Sequence, residues 1–224
     1  MLTRIAKAAL AAGLIAGPAV ALLQEFTTTP LIIQAETYEV GGAEAPAVDE
    51  EWGPEDGIER TFYTSVSTIG TTFGFALILL GAMILAGARI DARTGLMWGI
   101  AAFAATGLAP ALGLSPELPG SAAAELGARQ FWWAGTALAT AAGLFLLLRV
   151  STVGAIAAGL ALIVAPHLIG APHPSEFTST VPSELSGHFA AASLVVHAVS
   201  WSLTGAVAGF VFARPVAHEE RVAA

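Results

Sequence analysis

The chain has 224 residues, of which 55% are hydrophobic and only 12% charged, with a net charge of -8. A soluble domain carries about 25% charged residues, so too few are present here to cover a water-facing surface. The absence of cysteine excludes disulfides, thiolate metal sites and cysteine nucleophiles. The acidic balance without any basic cluster argues against nucleic acid as a partner.

Six apolar stretches follow in chain order, at about 2–23, 62–88, 95–114, 131–149, 152–170 and 189–212. About 20 apolar residues cross the hydrocarbon core, so each is read as a transmembrane helix of one all-α membrane domain. The first stretch follows Arg4 and Lys7, and its Ala19-Val20-Ala21 resembles a signal-peptide cleavage site. The run is long, however, and holds Gly13-Leu14-Ile15-Ala16-Gly17, a close-packing pattern, so a retained helix is expected. The segment 24–61 that follows holds ten carboxylates (Glu25, Glu36, Glu39, Glu44, Asp49, Glu50, Glu51, Glu55, Asp56 and Glu59). Its flank from Pro30 to Glu39 is apolar and amphipathic and reads as an ordered continuation of the first helix. Gly41 to Gly57 reads as disordered, solvated surface that concentrates cations.

The second stretch opens with Thr61, Ser65, Thr68 and Thr72 on one face. This stripe either lines a vestibule facing the last helix or serves as packing glue with Gly70 and Gly74. Gly95/Gly99 and Gly205/Gly209 repeat the small-residue spacing and read as packing positions. The third and fifth stretches hold Pro110 and Pro166 near one end. Proline there frees backbone carbonyls that neighbouring helices or water must satisfy. Aromatic residues open the returning helices, at Phe62-Tyr63, Phe131-Trp132-Trp133 and Phe189, as an interfacial belt does.

Orientation follows from Lys and Arg beside the spans. With the N-terminus inside, Arg4, Lys7, Arg89, Arg93, Arg149, Arg214 and Arg221 are inside, and only Arg60 and Arg129 outside. The expected topology is three out-and-back hairpins, N-in and C-in, with outer loops at about 24–61, 115–130 and 171–188.

Four of the five histidines (His167, His173, His188 and His197) fall in the fifth-to-sixth hairpin; His218 lies in the C-terminal tail. Imidazole suits cobalt, nickel, zinc and copper. The spacing is not a compact ligand motif, and single histidines in such places also act as capping or interfacial residues. His197 lies about nine residues into the last stretch, roughly 13 Å deep at 1.5 Å per residue. Ser193, His197, Ser200 and Thr204 share its helix face. Interhelical hydrogen bonding and a polar pathway are both open readings of that stripe. No paired catalytic acids, nucleophile motif or phosphate loop is present, so an enzyme is not expected.

Several segments together resemble the CbtA family of predicted cobalt transporters, larger membrane subunit. They are the Ala12-Gly13-Leu14-Ile15-Ala16-Gly17 start, Pro30-Leu31-Ile32 through Ala35-Glu36-Thr37-Tyr38-Glu39, and the run from Gly107 through Pro110-Ala111-Leu112-Gly113-Leu114-Ser115-Pro116-Glu117-Leu118-Pro119-Gly120. Arg129-Gln130-Phe131-Trp132-Trp133 and Pro166-His167-Leu168-Ile169-Gly170-Ala171-Pro172 complete the set. The resemblance implies cobalt uptake tied to cobalamin synthesis, acting with CbtB, a small single-span partner bearing histidines. Glu36, Glu117, His167 and Arg129 match the family's polar motif residues.

The expected function is therefore uptake of Co²⁺, or a related divalent ion, across a bacterial cytoplasmic membrane. The ion is cargo, and no resident cofactor is expected. Glu36, Glu117, His167 and His173 are the expected metal ligands. His197, Ser193, Ser200, Thr204, Thr68 and Thr72 are the expected pathway. Arg129, Pro110 and Pro166 take structural or gating roles. A non-transporting membrane scaffold is the alternative, and the small-residue faces also permit a homo-oligomer.

Overall fold

The computed structural model describes residues 1–40, 53–150 and 152–214. His218 and most of the Gly41–Gly57 stretch lie outside the described residues. Among the described residues the chain is helical, without strands. We number the helices α1 (Leu2–Phe26), α2 (Thr28–Val40), α3 (Ile58–Leu85), α4 (Ala92–Ala111), α5 (Leu126–Val150), α6 (Val153–Ile169) and α7 (Ser183–Ala213). Five of them (α1, α3, α4, α5 and α7) are long and apolar enough to cross a membrane. The sixth apolar helix, α6, has 17 residues, about 25 Å at 1.5 Å per residue. Thr152 caps its start, its hydroxyl accepting from the Ala155 amide at 3.2 Å, and Gly170 at φ 89° ends it. The expected continuation of the first helix exists as α2, a separate helix after the single turn residue Thr27.

The described chain forms two compact units. The first holds α1 to Glu25, residues 51–100 and the chain from Ala198. Its core is small-residue packing. Ala8, Ala9 and Ala12 of α1 meet Ala76 and Leu80 of α3 and Ala208 and Phe212 of α7. Gly13 and Gly17 let α1 sit on α3; a Cβ at Gly17 would lie 2.7 Å from the Ile69 Cα. Val20 and Ala21, within the cleavage-like tripeptide, are buried in mid-helix. Gly95 and Gly99 of α4 meet the backbone of Gly205 and Trp201 on α7, so close that any Cβ would overlap a carbonyl oxygen. Gly70 and Gly74 do not serve this way: a Cβ at either would meet nothing within 4 Å. They stand on the open side of α3, so spacing alone misplaced them. Arg4 reaches the end of α7, donating from Nη2 to the Phe212 carbonyl at 2.6 Å with its guanidinium over the Phe212 ring. A cation there suits the negative end of the helix dipole. Before α4, Asp91 accepts from the Thr94 amide at 2.9 Å. That bond chiefly holds its carboxyl below the usual range.

The second unit holds residues 26–50 and 101–197. Here α5 and α6 form a tight pair at Gly143 and Gly159; a Cβ at Gly143 would lie 2.6 Å from the Gly159 oxygen. A separate small core joins Leu31 and Ala35 of α2 to Leu118, Val181 and Leu185, with Ile32, Phe189 and Ala192 against it. The loops 112–125 and 170–182 are tied at one atom. The Gly120 carbonyl accepts from the Ser179 hydroxyl, the Thr180 amide and the Thr180 hydroxyl at 3.3, 3.3 and 3.4 Å. Gly120 has φ 77°, a conformation that glycine adopts without strain.

Candidate functional site

The site is built from a proline. Pro110 has no N–H, so the carbonyl four residues back, on Thr106, loses its helical donor, and the ring would crowd it. The helix answers by widening into a π turn at Ala104–Leu108, where the Ala109 amide bonds the Ala104 carbonyl. Single π turns inside α-helices recur at functional sites. The orphaned Thr106 carbonyl is taken by Trp133 of α5, whose Nε1 donates to it at 3.2 Å. Pro166 has a related companion: its carbonyl accepts from Trp132 Nε1 at 3.3 Å and from the Gly170 amide at 3.0 Å. The sequence reading expected freed carbonyls; Trp133 meets the one on Thr106, whereas Trp132 reaches Pro166's own carbonyl, which keeps its helical donor from Gly170.

The π turn faces His197. The Thr106 hydroxyl donates to the Ala102 carbonyl at 2.8 Å and lies 3.5 Å from His197 Nε2. The Phe103 ring stands 6.0 Å from the imidazole, tilted by 54°. Gly107 provides the space: a Cβ there would sit 3.0 Å from the Phe103 ring and 3.5 Å from His197 Cγ. An ionisable side chain within a spanning helix normally faces an interior or a wet cavity. His197 is half-buried against this polar turn, in keeping with that rule.

The other predicted residues divide between the two units. Ser193 and His197 belong to the second; Ser200, Thr204, Thr68 and Thr72 belong to the first. In the first unit, Thr68 donates to Gln24 Oε1 at 2.8 Å. Thr72, fully buried, bonds back to the Thr68 carbonyl at 2.8 Å. Thr204 is also fully buried, and its hydroxyl has no hydrogen-bond partner. In the second unit His167 lies edge-on to Trp132 at 5.9 Å, and His173 and His188 are exposed. Among the described residues, no three of His, Asp and Glu come together as a metal-holding group.

The family model described as "CbtA: Probable cobalt transporter subunit (CbtA)" matches residues 2–213. The chain belongs to the CbtA family. It is a multi-pass membrane protein and a member of a transporter-subunit family. Comparison with curated proteins and with solved structures gives no match.

The structure gives Glu117 and Arg129 a definite relationship. Glu117, expected as a ligand, and Arg129, expected as a structural or gating residue, form one ion pair at 2.5 Å. Both side chains are about three-quarters buried, at 24% and 28% exposure. The guanidinium sits in the second turn of α5, near the positive end of that helix, where a cation needs an anionic neighbour. Arg129 Nε is buried without a hydrogen-bond partner, so Glu117 carries much of its stabilisation. Glu125 caps the same helix, accepting from the Gly127 and Ala128 amides at 2.8 and 2.7 Å. Those amides hold its carboxyl below the usual range. Glu36 is half-buried on α2 beside the buried Ala35.

Three participants were missed in the sequence: Thr106, Trp133 and Gly107. A signal existed for two. Thr106 stands four residues before Pro110, and Trp133 belongs to the aromatic entry of α5. Gly107 is part of the motif run, but nothing in its spacing marks it as the seat of His197.

Proposed function

We propose that this CbtA protein is the larger membrane subunit of a system that takes up Co²⁺, or a closely related divalent ion. In this reading the acidic segment after α1 faces outward and gathers cations. His167 and His173 receive the ion, with Glu36 and Glu117 close to its entry. The ion then descends past His197, with Ser193, Ser200, Thr204, Thr68 and Thr72 as polar wall. The membrane is a bacterial cytoplasmic membrane, the partner a small single-span CbtB-like subunit, and the cargo supplies cobalamin synthesis. The observation that carries this reading is His197, an imidazole within a spanning helix, set against a proline-induced π turn that presents a hydroxyl to it. Packing alone does not require a histidine there. Loose nitrogen and oxygen donors also suit transport, which needs binding weak enough for release.

The test is cobalt uptake into cells expressing this chain, with and without a CbtB-like partner. We expect His197→Ala to abolish uptake and His167→Ala with His173→Ala to reduce it several-fold. Uptake unchanged by His197→Ala would sink the pathway; uptake unchanged by the double substitution would remove the entry ligands. A scaffold that transports nothing predicts no uptake in any of these cells.

A further inference from the structure

We infer that the first unit binds the phosphate of an anionic phospholipid at the end where α1 starts and α7 stops. The site lies wholly within that unit and does not depend on the transport reading. Five cations meet there. Arg4 and Lys7 stand in the first two turns of α1, Arg89 and Arg93 flank the turn from α3 into α4, and Arg214 follows α7. One core draws these segments together, because Ile5, Ile90 and Phe212 all pack in the same cluster. The contact is close: a Cβ at Gly209 of α7 would lie 2.2 Å from the Asp91 carbonyl oxygen.

The charges at this end do not balance. Asp91 is the one carboxylate among the described residues of these segments, and it is already engaged. It pairs with Arg89 at 3.2 Å and caps α4 through the Thr94 amide. Arg4, Lys7, Arg93 and Arg214 have no carboxylate partner among the described residues, whereas Arg60 and Arg129 elsewhere pair with Asp56 and Glu117. The tendency of Lys and Arg to collect beside spans puts cations at helix ends. The packing through Ile5, Ile90 and Phe212 gathers four uncompensated ones into a single patch. Two of the four are held in place. Arg4 is fixed by the Phe212 carbonyl and ring, and Arg214 lies over the Phe210 ring at 4.2 Å. Cations placed in advance lose less freedom when an anion binds. Beside the patch, Leu10, Leu85, Met97 and Phe210 are exposed and offer apolar surface to acyl chains. A free anion gains nothing from that surface, so the phosphate belongs to a lipid. A zwitterionic headgroup brings its own ammonium, so the excess of cations selects an anionic one. Basic pockets between membrane helices bind such headgroups.

The test is lipid retention by the purified full chain, read by native mass spectrometry from detergent micelles holding equal amounts of phosphatidylglycerol and phosphatidylcholine. The wild type should retain phosphatidylglycerol preferentially. Each basic residue near an anionic surface strengthens binding about five-fold, so Lys7→Gln, Arg93→Gln and Arg214→Gln together should weaken retention at least about 10-fold. The charge-keeping set Lys7→Arg, Arg93→Lys and Arg214→Lys should preserve it, which separates lost charge from lost folding. Arg60→Gln, at the opposite end of α3, should change nothing. Equal retention of the two lipids by the wild type would overturn the site, as would a neutralised triple variant that binds like the wild type. Displacement of the lipid by an equal concentration of inorganic phosphate would reveal an anion site only and overturn the lipid assignment. Retention seen only after Glu219→Gln with Glu220→Gln would also overturn it, by making the C-terminal tail the partner of the patch.

Discussion

Replacing Trp133 by phenylalanine removes one N–H and keeps an aromatic ring at the entry of α5. The Thr106 carbonyl then has no donor, because Pro110 cannot supply the helical one. A hydrogen bond contributes about 0.5–1.5 kcal/mol net, and cycles within membrane helices average about 0.6 kcal/mol. Trp133→Phe should therefore cost roughly 0.6–1.5 kcal/mol. The cause can be isolated. Pro110→Ala restores an amide four residues after Thr106, so in that background the carbonyl has a helical donor again. There Trp133→Phe should cost only the smaller ring's lost contact. Trp132→Phe is the contrast, since the Pro166 carbonyl that Trp132 bonds also takes the Gly170 amide. Reversible unfolding by SDS titration in mixed micelles measures all four variants. Equal costs for Trp133→Phe with and without Pro110 would refute the account of the orphaned carbonyl.

Three further predictions concern stability. Glu117→Gln should cost about 1.5–3 kcal/mol, as expected for a hydrogen bond to a charged group, and should couple to Arg129→Gln in a double-mutant cycle. A coupling below about 0.5 kcal/mol would show the pair to be incidental. Glu125→Ala should lower stability at neutral pH. The Glu125 carboxyl is held below its unfolded value, so its contribution is full above the ordinary carboxylate range and lost as pH falls through the folded pKa. The gap between wild type and variant should therefore close on acidification; a gap that widened would contradict the cap. Gly205→Val should cost about 1–3 kcal/mol or more by forcing α4 from α7. Gly70→Ala, facing open space, should stay within about 0.5 kcal/mol, and unfolding curves of the two separate the contact glycines from the rest.

The helices were legible because a bilayer leaves few options. Every backbone polar group must be satisfied within a helix, so long apolar runs translate directly into helices, with ends displaced by a few residues. The close contacts at Gly13, Gly17, Gly95, Gly99 and Gly205 were legible by spacing. Gly70 and Gly74 share that spacing without such a contact, because spacing fixes a face but not what lies opposite it. Glu117 and Arg129 were each singled out, yet assigned separate roles. Their pairing depends on the turn geometry of residues 112–125, where no periodicity constrains which side chains meet. The docking of α2 against Leu118, Val181 and Leu185 was hidden for the same reason.

The polar groups of the spans sort by how they are satisfied, and that ordering bears on mechanism. Thr72 returns its proton to its own helix, as a hydroxyl does when it has only to be hidden among apolar neighbours. Thr106 does the same with its proton, but its carbonyl has been freed by Pro110 and handed to another helix. The proline thus couples two things that an ordinary α-helix keeps apart: the register of α5 and the placement of a hydroxyl beside His197. A shift of Trp133 along α5 would move that hydroxyl relative to the imidazole. The geometry of the pair therefore depends on how α4 and α5 are held together.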